Sequence, residues 1–247
     1  MGDLIHSANR VLIPAIADLQ EKNPEKIRSI YLTNYNLLFY LALPIHTLLI
    51  ISAPFISQIW IGHYEKQFVT FTILLSAGYF VNTLCAPSII SYLGIGTLRW
   101  VVVGNLSVAV LNFLFGIISG VLFDGYGVIV GWILSLSIGK IIILLSYHKI
   151  YKIPYKNLLP KDSLILSFLC LFMLICALPI QLSLQSFNNF NTNLCILVLS
   201  LLILTIPFYL HPMRKQLVEW LKESALKKSA IKLEEKKQVA EKEMIGQ

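Results

Sequence analysis

From Trp100 to Phe123 the chain carries no charged residue. That run is long enough to cross the roughly 30 Å hydrocarbon core of a bilayer with some tilt. It is followed by the short polar sequence Asp124-Gly125-Tyr126-Gly127 and then by a second apolar run, from Val128 to Tyr147, closed by His148-Lys149. Hydrocarbon offers the backbone no hydrogen-bond partner, so each run must be a helix that satisfies its own amides. The stretch from Arg99 to Lys149 therefore predicts an antiparallel pair of spanning helices, and with it a multi-pass membrane protein.

The rest of the chain agrees. Hydrophobic residues make up 56% of it and charged residues only 13%, which excludes an ordinary soluble domain. The formal net charge of +7 would in a soluble protein raise nucleic acid as a partner. Here the Lys and Arg residues gather in short connectors and the tail, beside apolar runs, where membrane topology accounts for them and nucleic acid is not expected. Cys85, Cys170, Cys176 and Cys195 lie within or at the ends of apolar runs without metal-ligand spacing, and read as small buried apolar side chains. The N-terminus does not read as a signal peptide, because Asp3 stands where that segment should be basic and His6, Asn9 and Arg10 interrupt its apolar part.

Three segments are expected. Residues 1–22 place Leu4, Ile5, Ala8, Val11, Leu12, Ala15, Ile16 and Leu19 at helical spacing among polar residues. This is the end of a truncated membrane helix or an interfacial amphipathic helix. Residues 23–210 follow a polar loop at Glu21 to Lys26 and form a six-span bundle. The spans run near Tyr35–Ile59, Phe68–Leu93, the two described above, Ser163–Leu182 and Asn193–Leu210. Residues 211–247 are a charged tail, whose Leu217, Trp220 and Leu221 either rest on an anionic leaflet or stay solvated. The fold class is thus all-α, a polytopic membrane helix bundle of about six complete transmembrane helices plus the end of a seventh.

The connectors test that layout. Lys22, Lys26 and Arg28 precede the first span, Arg99 lies between the second and third, Lys149, Lys152, Lys156 and Lys161 lie between the fourth and fifth, and the tail adds more from Arg214 to Lys242. The alternate connectors hold Lys66, Asp124, and the uncharged Gln185 to Asn191. Retention of basic residues on the cytoplasmic side places both termini there.

No catalytic constellation, phosphate loop or metal motif is visible, so neither an enzyme nor a cofactor is expected. The informative residues are the polar ones inside apolar runs. Lys140 sits about two turns inside the fourth span, where an ammonium at the bilayer centre costs roughly 3 kcal/mol on insertion scales. It snorkels toward the headgroups beside Lys149, pairs, or faces a water-filled cavity. Arg10, one helical turn from His6, either lines such a cavity or lies on an interfacial polar face. His46, Asn82, Asn105 and Asn112 read as interhelical hydrogen-bonding residues, and Gly116, Gly120, Gly127 and Gly131 as points of close helix approach. Trp60 and Tyr64 suit an interfacial belt.

Several short motifs recur in a telling order: Arg10 with Pro14-Ala15-Ile16, then Leu41-Ala42-Leu43-Pro44, Trp60-Ile61-Gly62-His63-Tyr64, Gly94-Ile95-Gly96-Thr97-Leu98-Arg99, and Asn112 ahead of Gly125-Tyr126-Gly127-Val128. Over residues 4 to 182 the chain resembles the oligosaccharide flippases of the multidrug and polysaccharide exporter superfamily, specifically their C-terminal half. That resemblance implies alternating-access transport of a polyprenyl-diphosphate-linked oligosaccharide across the bacterial cytoplasmic membrane, for surface polysaccharide assembly. The substrate would lie in a cationic cavity between two helical lobes while its tail stays among the membrane lipids, with Arg10 and Lys140 as candidates for binding its diphosphate or sugar. One lobe cannot enclose the cavity, so a missing N-terminal half or a second copy would complete it. A cation-coupled multidrug exporter of the same superfamily would be expected to carry an acid inside a span, and after Asp18 none of the six does. A non-transporting remnant or assembly partner is the alternative from a different class.

Overall fold

A computed structural model describes residues 2–183, 189–215 and 217–219, with side chains from residue 12 onward except 182 and 183. Among the described residues there is no strand. The helices are α1 (Gly2–Lys22), α2 (Pro24–Trp60), α3 (Lys66–Ile95), α4 (Arg99–Ile150), α5 (Leu164–Ser183) and α6 (Phe190–Leu210), with 3-10 turns at Tyr155–Leu158 and Lys161–Ser163. Helices α2, α3 and α4, the segment Lys161–Gln181 and helix α6 are long and apolar enough to cross a membrane. The chain is a multi-pass, all-α membrane protein.

Helix α4 is two arms rather than one rod. Its backbone leaves helical geometry at Phe123 (φ −135°, ψ 19°) and Asp124 (φ 51°, ψ −139°), just ahead of the glycine-rich sequence expected to make the turn. Beyond that point the chain runs back along itself. A methyl group added at Gly139 would lie 2.5 Å from the Gly104 carbonyl oxygen, and one at Gly131 would lie 2.8 Å from the Phe115 carbonyl. At Gly127 it would overlap the carbonyl of Ser119, and at Gly104 the side chain of Ile143. Gly127, Gly131, Ser135 and Gly139 recur every fourth residue, so they form one face of the second arm. The absence of bulk on that face lets the two backbones approach, the usual route to helix association where lipid removes the hydrophobic drive. Gly116 shares this role through its backbone, since a methyl at Gly131 would lie 3.0 Å from its amide nitrogen, whereas a methyl on Gly116 itself would meet open space.

The first two helices are separated more sharply than the sequence implies. The expected loop from Glu21 to Lys26 reduces to Asn23 (φ −158°, ψ 76°), which Pro24 keeps out of the helical region. Pro24 itself starts α2, where its missing N–H costs nothing. The end of α1 packs on α3: Ile16 is buried with Ile27 and Ile90, and a methyl at Gly94 would meet Ile16 at 2.7 Å.

Contacts between elements sort the helix ends. At one end Tyr35 donates to the Leu158 carbonyl (2.9 Å), Tyr92 meets Ser146 (3.0 Å), Tyr40 donates to Phe208 (2.7 Å) and Ser163 meets His211 (3.0 Å). At the other, Tyr64 donates to the Gln181 carbonyl (2.8 Å), the Phe71 and Tyr126 rings lie 4.9 Å apart and those of Phe55 and Phe190 5.2 Å apart. The connectors rich in Lys and Arg thus share one end of the bundle, as the alternation requires.

Two expectations need correction. Cys85 and Cys170 are buried, but Cys176 and Cys195 lie on the exposed surface of α5 and α6, where a thiol faces lipid as readily as it packs. His148 does not exit into solvent: it is 1% exposed and its Nε2 meets the Tyr31 hydroxyl at 2.8 Å. In the tail Met213 is buried and Leu217 packs against the α2–α5–α6 core, while Trp220 and Leu221 fall outside the described residues, as does most of the Gln185–Asn191 connector.

Candidate functional site

Lys140 follows Gly139, the last small residue of the second arm's packed face, so it stands about 100° round the helix from it. Seven residues earlier, on the same side, Ile133 packs against Gly78 of α3. The lysine stem thus enters the angle between α3 and the two arms of α4, and the residue is half-buried. Its Nζ donates to Asn105 Oδ1 of the first arm at 3.0 Å. Of the fates open to this ammonium, pairing across the hairpin is the one observed, and its partner is an amide rather than a carboxylate.

The depth follows from the helix rise. Asn105 lies six residues past Arg99, about 9 Å along the first arm, and Lys140 lies about 15 Å before Ile150 on the second. The charge therefore sits below the basic end of the bundle without reaching its middle. Asn105 is exposed, as are its neighbours Val102 and Leu106, so the pair opens sideways.

Arg10 lies in α1, but its side chain is outside the described residues, so the two candidate cations are not brought together by any described contact. Among the other intramembrane polar residues, His46 Nδ1 meets Ser76 Oγ at 3.1 Å, joining α2 to α3 as expected. Asn112 is exposed and Asn82 half-buried.

Two polar assemblies escape sequence reasoning because their partners come from distant parts of the chain. One is an aromatic cluster at the basic end. Tyr31 is 1% exposed, its ring lies 4.5 Å from that of Tyr147, and its hydroxyl also reaches Ser88 (3.4 Å). Tyrosine spacing gives no signal for this, since Tyr31 and His148 lie on different helices. The other is at the end of α6. Pro212 has no N–H to give the Phe208 carbonyl, and the Tyr40 hydroxyl supplies the bond instead. His211 then stacks on Tyr40 with ring centroids 4.4 Å apart, accepts from the Met213 N–H and meets Ser163. Burial pulls the His211 pKa below its ordinary value, against a smaller upward pull from Asp162. No group of metal-binding side chains occurs among the described residues.

Comparison with protein-family models, curated proteins and solved structures finds no match to this chain. What fold and site define is therefore a class: a multi-pass helical membrane protein with one half-buried cation held by an amide between the arms of a hairpin.

Proposed function

We propose that the chain acts as the C-terminal part of a carrier that moves lipid-linked oligosaccharide across the bacterial cytoplasmic membrane by alternating access, for surface polysaccharide assembly. The observation that carries this reading is Lys140, an ammonium retained inside a bundle whose spans are otherwise nearly free of charge. A cation within a membrane span is expensive even when half-buried, and it marks a path for charged cargo. The motif order from Arg10 to Val128 supports the same reading. Arg10 is the second cation proposed to meet the diphosphate. A missing N-terminal half or a second copy supplies the opposing wall, and both termini face the cytoplasm.

The test is expression in a bacterial strain lacking its own oligosaccharide carrier, alone and together with an N-terminal lobe. Restored surface polysaccharide, reduced by Lys140→Gln and by Arg10→Gln, is expected. No restoration in either arrangement would reassign the chain as a non-transporting remnant or assembly partner, and full output from both variants would remove those residues from the mechanism.

A further inference from the structure

We infer that Lys140 and Asn105 together form a lateral binding site for the phosphate of a lipid, entered from the bilayer along the outer face of the α4 hairpin. The inference deepens the carrier reading by adding a residue and a route of entry, and it rests on that reading for the source of the lipid.

The first argument is charge: among the described residues no carboxylate pairs with Lys140. Helix α3 contains no acidic residue, nor do α5 and α6, α2 has only Glu25 in its first turn, and α4 has only Asp124 at its far turn. Of the acids of α1, Asp18 pairs with Lys22 (2.6 Å), Glu21 lies in the last turn and Asp3 at the start of the helix. The Asn105 amide orients the Lys140 ammonium without neutralising it. An ammonium has three donors and Asn105 Oδ1 takes one, leaving two. The Asn105 amide nitrogen adds two further N–H groups beside them. The cradle therefore presents mostly donors and net positive charge, with one of its acceptor's two lone pairs already used. That inventory suits an anion with several oxygens close together, as in a phosphate or diphosphate, whose charge-assisted bonds are roughly twice as strong as neutral ones.

The second argument is position. Asn105 is exposed on the first arm between Val102 and Leu106, which are 60% and 62% exposed. A lipid chain lying along those apolar side chains would bring its head to the pair, about 9 Å inward from Arg99. A soluble anion would have to cross hydrocarbon to reach the same point. The ligand chemistry is thus a phosphate borne on an apolar tail, either the diphosphate of a polyprenyl carrier or the headgroup of an ordinary anionic phospholipid.

Binding of a long-chain polyprenyl diphosphate and of phosphatidic acid to the purified full chain in neutral-lipid nanodiscs tests this. The variants are Asn105→Asp, Lys140→Gln and Lys140→Arg. Wild type and Lys140→Arg should bind the polyprenyl diphosphate comparably, whereas Asn105→Asp and Lys140→Gln should each weaken it by about tenfold or more. Asn105→Asp is decisive, because an internal carboxylate satisfies the lysine and preserves the hairpin while competing with the ligand. Should that variant bind as wild type does, or should wild type bind neither lipid, the site is overturned. Equal affinity for phosphatidic acid, lost in the same variants, would keep the phosphate site and remove the oligosaccharide carrier as its source, so the two readings fail separately.

Discussion

The two arms of α4 and the corner where α2 meets α5 and α6 are both made of apolar helices in contact, yet they are held by different means. In the hairpin the side chains withdraw: Gly127, Gly131, Ser135 and Gly139 let one backbone lie against the other, and Ser135 spends its hydroxyl on its own helix, at the Gly131 carbonyl (2.6 Å). In the corner the side chains reach across. Tyr40 takes up the carbonyl that Pro212 leaves bare, and Gln181 Nε2 donates to Ile51 O (2.8 Å), next to the Ile50 carbonyl that Pro54 deprives of its helical donor. Close approach fixes the hairpin by shape, whereas the corner is fixed by side chains that donate to carbonyls of neighbouring helices, one of which, at Phe208, a proline leaves bare. The difference teaches that a span can be fastened by what it lacks as well as by what it offers.

The sharpest way to break that contrast is bulk on the hairpin seam. Gly127→Leu collides with the Ser119 carbonyl, which cannot move without its helix, so a loss of more than about 3 kcal/mol is expected, seen as aggregation or a collapsed melting transition in detergent. Gly116→Ala, with open space beside it, should change stability by less than about 0.5 kcal/mol. If the two substitutions were equally harmful, the seam would not run where we place it.

In the corner, Tyr40→Phe keeps the ring stack and removes only the hydroxyl, leaving the Phe208 carbonyl unsatisfied, at a cost of about 1–2 kcal/mol in reversible unfolding. A neutral result would show that water or another donor reaches that carbonyl. A smaller effect belongs to His211, which lies just beyond α6. Its pKa is lowered in the folded chain by burial, so the unfolded chain takes up the proton first as pH falls. The stability His211 contributes should be complete above its ordinary pKa of 6.5 and shrink as the pH drops below that value. His211→Gln should flatten the melting-temperature profile across that window, and an unchanged profile would locate the acid sensitivity elsewhere.

Much of the hairpin was legible in the sequence because its signals are local. The charge-free runs gave both arms, and the Asp124-Gly125 region gave the reversal to within a residue or two. The four-residue spacing that carries Gly127 and Gly131 on to Ser135 and Gly139 was equally readable, but half of it was overlooked, while Gly116 enters the seam by its backbone beside Gly131 and not by lacking a side chain. The corner was not legible. Pro212 announces a bare carbonyl without saying who fills it, and Tyr40 lies far along the chain from Phe208. The candidate site falls between these cases. Lys140 stood out as a lone charge and Asn105 as a polar residue within a span, but their pairing depends on a turn that brings positions 35 apart in sequence to one level.

The account depends on α4 crossing the membrane twice and on the basic connectors sharing a side. In a variant with its four cysteines replaced, Gly125→Cys and Lys156→Cys can be probed with a membrane-impermeant thiol reagent on intact cells. The account predicts that position 125 is labelled from outside while position 156 is labelled only after lysis. Labelling of both from the same side, or protection of position 125 under every condition, would contradict it.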